Sequence, residues 1–236
     1  MCGRYSIFTP PETLEDRFGA TPERPLEPRY NAAPGQELPV VTNDDPGTIR
    51  HLQWGLVPEW ADDPGIGNDM INARAETLSE KPSFRAAYER RRCLVLADGF
   101  YEWTETDAGK QPYRVTLTGG EPFAMAGLWE RWTPETAQTG LGDFDGGTPE
   151  TDPEPLETFA IVTTEPNDLV ADLHHRMSVI LPSGEEKRWL AADPDDAADL
   201  LVPHPADEMR AYPVSRAVND PANDSPAVIE EVDAPG

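Results

Sequence analysis

The second residue of the chain is a cysteine, in the opening stretch MCGRYSIFTP. Met1 is usually removed when the next residue is small, and Cys2 then carries an α-amine and a thiol on adjacent carbons. An α-amine titrates near ~7.7–8.0, far below a lysine, so much of it is a free nucleophile at neutral pH. A 1,2-aminothiol condenses with aldehydes: the amine forms a Schiff base, and the thiol closes on it as a five-membered thiazolidine. The alternative reading is that Cys2 is a small buried residue near a terminus. The other cysteine, Cys93, stands before the apolar run LVL and reads as core. Two cysteines make neither a disulfide framework nor a multi-cysteine metal site. His51, His174, His175 and His204 lack a spacing such as H-E-x-x-H. Neither a metal nor another cofactor is expected.

Seven short motifs follow one another along the chain: MCGRY at 1–5, RYNAAPGQ at 29–36, WGLVPEWA at 54–61, NARAET at 72–77, LADGFYEW at 96–103, HHRM at 174–177 and PVSRAVN at 213–219. Anchored on a cysteine at position 2, the series closely resembles the SRAP family, the SOS-response-associated peptidases or abasic-site processing proteins. The resemblance covers nearly the whole chain, interrupted mainly at 133–157. It implies a role in the DNA damage response, with abasic sites in single-stranded DNA as partner. It assigns to Cys2 the crosslink to the ring-opened sugar. By the same resemblance Asn72 helps hold the reactive end, Arg74 grips phosphate, and Glu102 and His174 are active-site residues. The family motif around the histidine usually reads H-D-R-M-P, whereas this chain has His174-His175-Arg176-Met177-Ser178; register with Arg176 and Met177 selects His174. Arg4 and Arg176 match further phosphate contacts, and Trp60 and Trp103 match aromatics that stack or wedge against bases beside the lesion.

Each role also has a chemical rationale and a plainer alternative. Opening the closed hemiacetal of an abasic site needs proton transfer at the ring oxygen, which a carboxyl with a raised pKa supplies. Glu102, between Tyr101 and Trp103, is placed for such a shift, or is a strand-exposed glutamate. His174 titrates in the right range to shuttle protons, or sits at a helix C-terminus and answers its dipole. Asn72 bonds the thiol, amine or sugar, or punctuates a turn. Arginine forks suit phosphate oxygens. Trp54, Trp129, Trp132 and Trp189 read as core, and the run Arg90–Arg92 is left unassigned. Three functions fit: covalent capture of abasic sites with accompanying lyase chemistry, a cysteine peptidase or N-terminal-nucleophile amidohydrolase that includes removal of Met1, and a noncovalent single-stranded-DNA module.

The elements that must position these residues are short. A helix is expected from near Thr9, opened by Pro10 and Pro11 with Leu14 and Phe18 on one face. Residues 21–39 read as proline-rich loop. Strands are expected at 38–42, 51–57, 93–103, 113–117, 123–132, 159–163 and 179–181, and helices at 83–91, 167–174, 185–192 and 195–201. The pattern predicts a single α+β domain over 1–236, built on a strongly bent antiparallel sheet or open barrel with peripheral helices. An acidic, flexible insertion is expected at 133–157 and a loosely packed tail at 219–236.

The 236 residues carry 44 Asp and Glu against 19 Lys and Arg, a net charge of −25. Only Lys81, Lys110 and Lys187 are lysines. Such a surface repels phosphate at ordinary ionic strength. It resembles a haloarchaeal surface, for which molar salt shrinks the Debye length to ~3 Å and distant charge hardly reaches a ligand. No signal peptide or membrane-spanning run is visible, so a cytoplasmic monomer is expected.

Overall fold

Buried apolar runs alternate along the chain with turns marked by glycine, proline and asparagine, and nearly every run pairs as a strand. The structure is a computed structural model and describes residues 2–107, 109–134 and 154–233. In chain order the strands are β1 (Tyr5–Ile7), β2 (Thr21–Pro22), β3 (Arg29–Ala32), β4 (Glu37–Thr42), β5 (Asp45–Trp54) and β6 (Asn72–Arg74). They continue with β7 (Arg92–Ala97), β8 (Gly99–Thr106), β9 (Gly109–Leu117), β10 (Phe123–Trp132), β11 (Leu156–Thr164), β12 (Met177–Ser178) and β13 (Met209–Pro213).

Five of these strands form a ring. β5, β4, β7, β10 and β11 pair in that order, antiparallel throughout, and β11 returns to β5 through a parallel seam of Thr158 opposite Gln53 and Phe159 opposite Trp54. The α+β architecture on a strongly bent sheet is therefore present, and its barrel is closed rather than open. A second sheet, in the order β13-β9-β8-β1-β3, carries the N-terminal strand. Every residue of β7 is buried, because one face looks into the barrel and helices Pro82–Arg90 and Glu186–Ala191 pack on the other. That double burial explains why RCLVLA reads as a continuous run rather than an alternation.

Trp54 connects the barrel to the site. Its ring stacks on its seam partner Phe159 at 6.2 Å and 9°, and meets Tyr5 of β1 at 5.2 Å. Its Nε1 donates to the Ile71 carbonyl at 2.9 Å, fixing the chain one residue before β6. Truncating a buried Trp of this kind costs about 3–5 kcal/mol. β5 stops at Gly55, whose φ of +130° and close approach to the Gly67 carbonyl leave no room for a Cβ.

Several expectations need correction. Residues 21–39 contain β2, β3 and the start of β4; Pro22 is tolerated because β2 lies at a sheet edge. The run at 93–103 is two strands in two sheets, divided at Asp98, whose carboxylate accepts from Ser6 Oγ and the backbone N–H groups of Phe8 and Thr9. The helix at 167–174 covers only Asp168–Ala171, so His174 lies beyond it, its N–H donating back to the Val170 carbonyl at 2.8 Å. Strand pairing falls at Met177–Ser178, while Ile180 makes an isolated bridge to Met125. The tail from 219 is pinned: Asp224 accepts from the N–H groups of Tyr30 and Asn31, Asn31 Nδ2 donates to the carbonyls of Val218, Asp220 and Asn223, and Val228 is buried. Of the insertion expected at 133–157, residues 135–153 lie outside the described residues, and Leu156 and Glu157 belong to β11.

Candidate active site around Cys2

Two pairings bring the motif residues to one place. β1 runs antiparallel to β8, with Tyr5 opposite Phe100 and the Tyr101 N–H donating to the Arg4 carbonyl at 3.0 Å, so the register continues toward Glu102 beside the N-terminal residues. β11 carries β6 on one side, with Asn72 opposite Ile161 and Arg74 opposite Thr163, and β12 on the other, with Ser178 opposite Thr163. NARAET and HHRMS, a hundred residues apart in sequence, thus share one strand as their frame. Asn72 joins the two pairings: its Nδ2 donates to the Cys2 carbonyl at 2.8 Å. The Glu102 charge and the Ser178 hydroxyl both act on the Cys2 thiol, so these three stand at one place.

Cys2 is 0% exposed. Burial pushes its thiol up to about 12; the neighbouring Ser178 hydroxyl and the amino-terminal charge act in the opposite direction, and the Glu102 charge in the same one. The thiol is therefore protonated at neutral pH and waits for a base. Glu102 is 2% exposed, and burial raises its carboxyl to about 7. On a strand successive side chains alternate in direction, so Glu102 faces away from Tyr101 and Trp103, which join a separate cluster with Tyr212, Val214 and Val218. His174 is held below the usual imidazole value, first by burial and then by the amino-terminal charge. The Arg176 N–H donates to its Nδ1 at 3.0 Å. An imidazole shifted toward its neutral form, a carboxyl raised to about 7 and a protonated thiol make a set able to move protons without carrying much charge.

The cations divide. Arg74 is exposed and forms no salt bridge among the described residues. Arg4 is partly turned inward: its Nη1 donates to Asn31 Oδ1 and the Val218 carbonyl, both at 2.8 Å. Arg176, expected to contact phosphate, is held from within the protein. Arg176 is buried and donates to both Glu76 oxygens, at 2.6 and 2.9 Å, and to the Thr163 carbonyl at 2.6 Å, so its charge is already matched by a carboxylate. In the run Arg90–Arg92, Arg91 pairs with Glu130, and Arg92 is buried and donates to the carbonyls of Tyr88 and Ala192.

The aromatics divide too. Trp60 is 58% exposed, whereas Trp103 is half-buried with its Nε1 donating to Asn219 Oδ1 at 2.8 Å. Trp54, Trp129, Trp132, Trp189 and Cys93 are core. Asn31, Glu76 and Ser178 were not singled out from sequence. Asn31 and Glu76 stand inside quoted motifs, and Ser178 at a position where the chain departs from one. Among the described residues no three His, Cys, Asp or Glu side chains gather as a metal site, and no helix is long and apolar enough to cross a membrane. A cavity of about 820 Å³ lies away from this cluster, lined by Phe18, Val41, Leu94 and Leu190.

Comparison with known proteins matches the arrangement to a family. The family model described as SOS response associated peptidase (SRAP) matches residues 1–221. The abasic site processing protein YoqW of Bacillus subtilis is 44% identical over 239 aligned residues, covering 98% of this chain and 99% of that protein. The abasic site processing protein HMCES of Gallus gallus is 34% identical over 195 residues, covering 78% of this chain and 58% of that protein. A crystal structure of a protein from Bacteroides thetaiotaomicron superposes with a TM-score of 0.83 at 28% identity, covering 98% of this chain and all of that one. The chain belongs to the SRAP family.

Proposed function

We propose that this chain processes abasic sites in single-stranded DNA by capturing them covalently on Cys2. The observation that carries the reading is the cluster itself: an N-terminal cysteine bonded through its carbonyl to Asn72, beside a buried Glu102 raised to about 7 and a histidine held neutral. Removal of Met1 supplies the α-amine. Protonated Glu102 delivers a proton to the sugar ring oxygen as the hemiacetal opens to its C1′ aldehyde. The amine nitrogen attacks C1′, water leaves, and an imine remains. The Cys2 sulfur then adds to the imine carbon while its proton passes to nitrogen, so that aldehyde and aminothiol give thiazolidine and one water. His174 and Glu102 carry protons between these steps. Lyase chemistry at the imine stage competes with ring closure, because the imine acidifies the C2′ proton. Arg74 and Arg4 face the phosphates, and Trp60 and Trp103 the flanking bases. The names of YoqW and HMCES support the substrate class.

The cysteine-peptidase reading gains nothing from the geometry. Such enzymes work through a thiolate stabilised by a positively charged neighbour, whereas burial pushes this thiol up to about 12. The test is the intact mass of the protein before and after incubation with single-stranded abasic DNA. Loss of Met1 and a gel-stable adduct are expected for the wild type. Cys2→Ser keeps an amine and should give only a short-lived, borohydride-trappable adduct. Equal persistence of the two adducts removes the thiol from the reaction.

A further inference from the structure

The pairing of Arg176 with Glu76 has a consequence for the histidine beside it. Glu76 follows β6 on a single 3-10 turn, Ala75–Thr77, and its side chain is 47% exposed. Arg176 is buried, and four of its hydrogen bonds come from the guanidinium: two to Glu76, one to the Thr163 carbonyl and one to the Thr163 hydroxyl. A bidentate arginine–carboxylate pair fixes orientation as well as distance. Its backbone end is held with it, and there the Arg176 N–H points at His174 Nδ1 from 3.0 Å.

A backbone N–H cannot rotate: its direction is set by the peptide plane. A proton on Nδ1 would collide with it, so Nδ1 accepts and the neutral ring carries its proton on Nε2. The Arg176 carbonyl lies 3.1 Å from the same nitrogen. That carbonyl belongs to the next peptide group, so a change in the Arg176 backbone torsions that turned the N–H away would leave C=O as the partner of Nδ1 and reverse the tautomer. What resists that change is the anchored guanidinium.

We propose that Glu76 is a positioning residue for His174: through the Arg176 clamp it fixes the histidine as its Nε2–H tautomer. Arg176 thus serves the site as a strut, and β6 with the 3-10 turn that follows it supplies both ends of the machinery, with Asn72 on the Cys2 carbonyl and Glu76 on the strut. The proposal rests on the abasic-capture reading for its kinetic consequence and not for its structural one.

The test has two arms. Long-range ¹H–¹⁵N spectra of the imidazole groups report which nitrogen of His174 carries the proton, in the free protein and without any reaction. Wild type should show the Nε2–H form, Glu76→Gln a mixture of tautomers, and Glu76→Asp an intermediate or wild-type pattern. In the second arm, the rate of adduct formation at saturating abasic DNA should fall about tenfold in Glu76→Gln, a fraction of the ~10²–10⁴ a general acid–base group contributes, and be restored in part by Glu76→Asp. A His174 that keeps its Nε2–H form in folded Glu76→Gln overturns the proposal, as does a wild-type protein with Nδ1 protonated. A wild type with the expected tautomer that captures no abasic DNA overturns the functional reading and leaves the clamp standing.

Discussion

Two carboxylates four residues apart on one stretch of chain, Asp98 and Glu102, are buried to almost the same degree and treated in opposite ways. Asp98 stands where β7 gives way to β8. It accepts from Ser6 Oγ at 2.6 Å, Phe8 N at 2.6 Å, Thr9 N at 3.1 Å and Arg114 Nη2 at 3.1 Å. Its charge is fully answered, and it locks the start of the chain to the hairpin of β8 and β9. Glu102 lies on the same hairpin, facing the Cys2 cluster, and no arginine or lysine forms a salt bridge with it among the described residues. Burial raises it to about 7. Burial alone does not mark a site; what separates these two carboxylates is that Asp98 is ion-paired with Arg114, whereas at Glu102 burial outweighs what stabilises the charge.

Substituting both acids breaks the comparison if it is wrong. Glu102→Gln should slow abasic-DNA capture by about 10²-fold or more, and wild-type capture should fall as pH rises through about 7, where Glu102 loses its proton. The same variant should be more stable than wild type at alkaline pH. The folded-state value lies above the ordinary 4.5, so the folded chain holds this proton longer than the unfolded one. That stabilising contribution is complete below about 4.5 and is lost as pH rises through about 7, a difference on the order of 3 kcal/mol. Thermal unfolding at pH 4 and pH 8 reads it: no gain at the lower pH, a raised Tm at the higher.

Asp98→Asn should do the reverse. Breaking one side of a buried ion pair costs about 3–5 kcal/mol, measured by urea unfolding, while the folded fraction keeps a capture rate near wild type. A stable Asp98→Asn protein that cannot capture would erase the distinction between the two acids.

The smallest effect concerns salt. Arg92, Arg114 and Arg176 are buried, so the outward positive charge is scarcer than 19 Lys and Arg suggest, against 44 acids. Capture should therefore rise a fewfold from dilute buffer to a KCl optimum on the order of 1 M, as screening removes long-range repulsion. Initial rates across a KCl series, with folding followed by circular dichroism, test this. A monotonic fall in folded protein would leave the acidic surface a plain obstacle to DNA.

The site was legible in sequence to the extent that it is local. Cys2, Asn72, Glu102 and His174 each stand in a short motif, and strands such as 123–132 are uninterrupted apolar runs. The misread parts depend on partners distant in sequence. Nothing in the sequence around Arg176 announces its pairing with Glu76, a hundred residues away. The run 93–103 reads as one strand because hydrophobicity does not register that Asp98 changes sheets. The tail at 219–236 looks loose by composition, yet a buried Asn31 and Asp224 hold it by backbone hydrogen bonds that no apolar pattern announces.

The parallel seam between β5 and β11 sets the order in which the barrel can assemble. The other four contacts of the ring are antiparallel pairings, and β4 with β5 is a tight hairpin closed by Asn43 and Asp44. Thr158 and Gln53 meet only across about a hundred residues of chain, and contacts of such separation form slowly because their loop entropy is lost before the contact gains anything. As the polypeptide leaves the ribosome, the edge of β5 stays unpaired beside Trp54 until β11 has been synthesised. That open edge is the stage at which a nascent chain is most exposed to strand-to-strand aggregation. The seam can close only after β11 is made, and the frame that holds Asn72 and Ser178 beside Cys2 needs β11 in place.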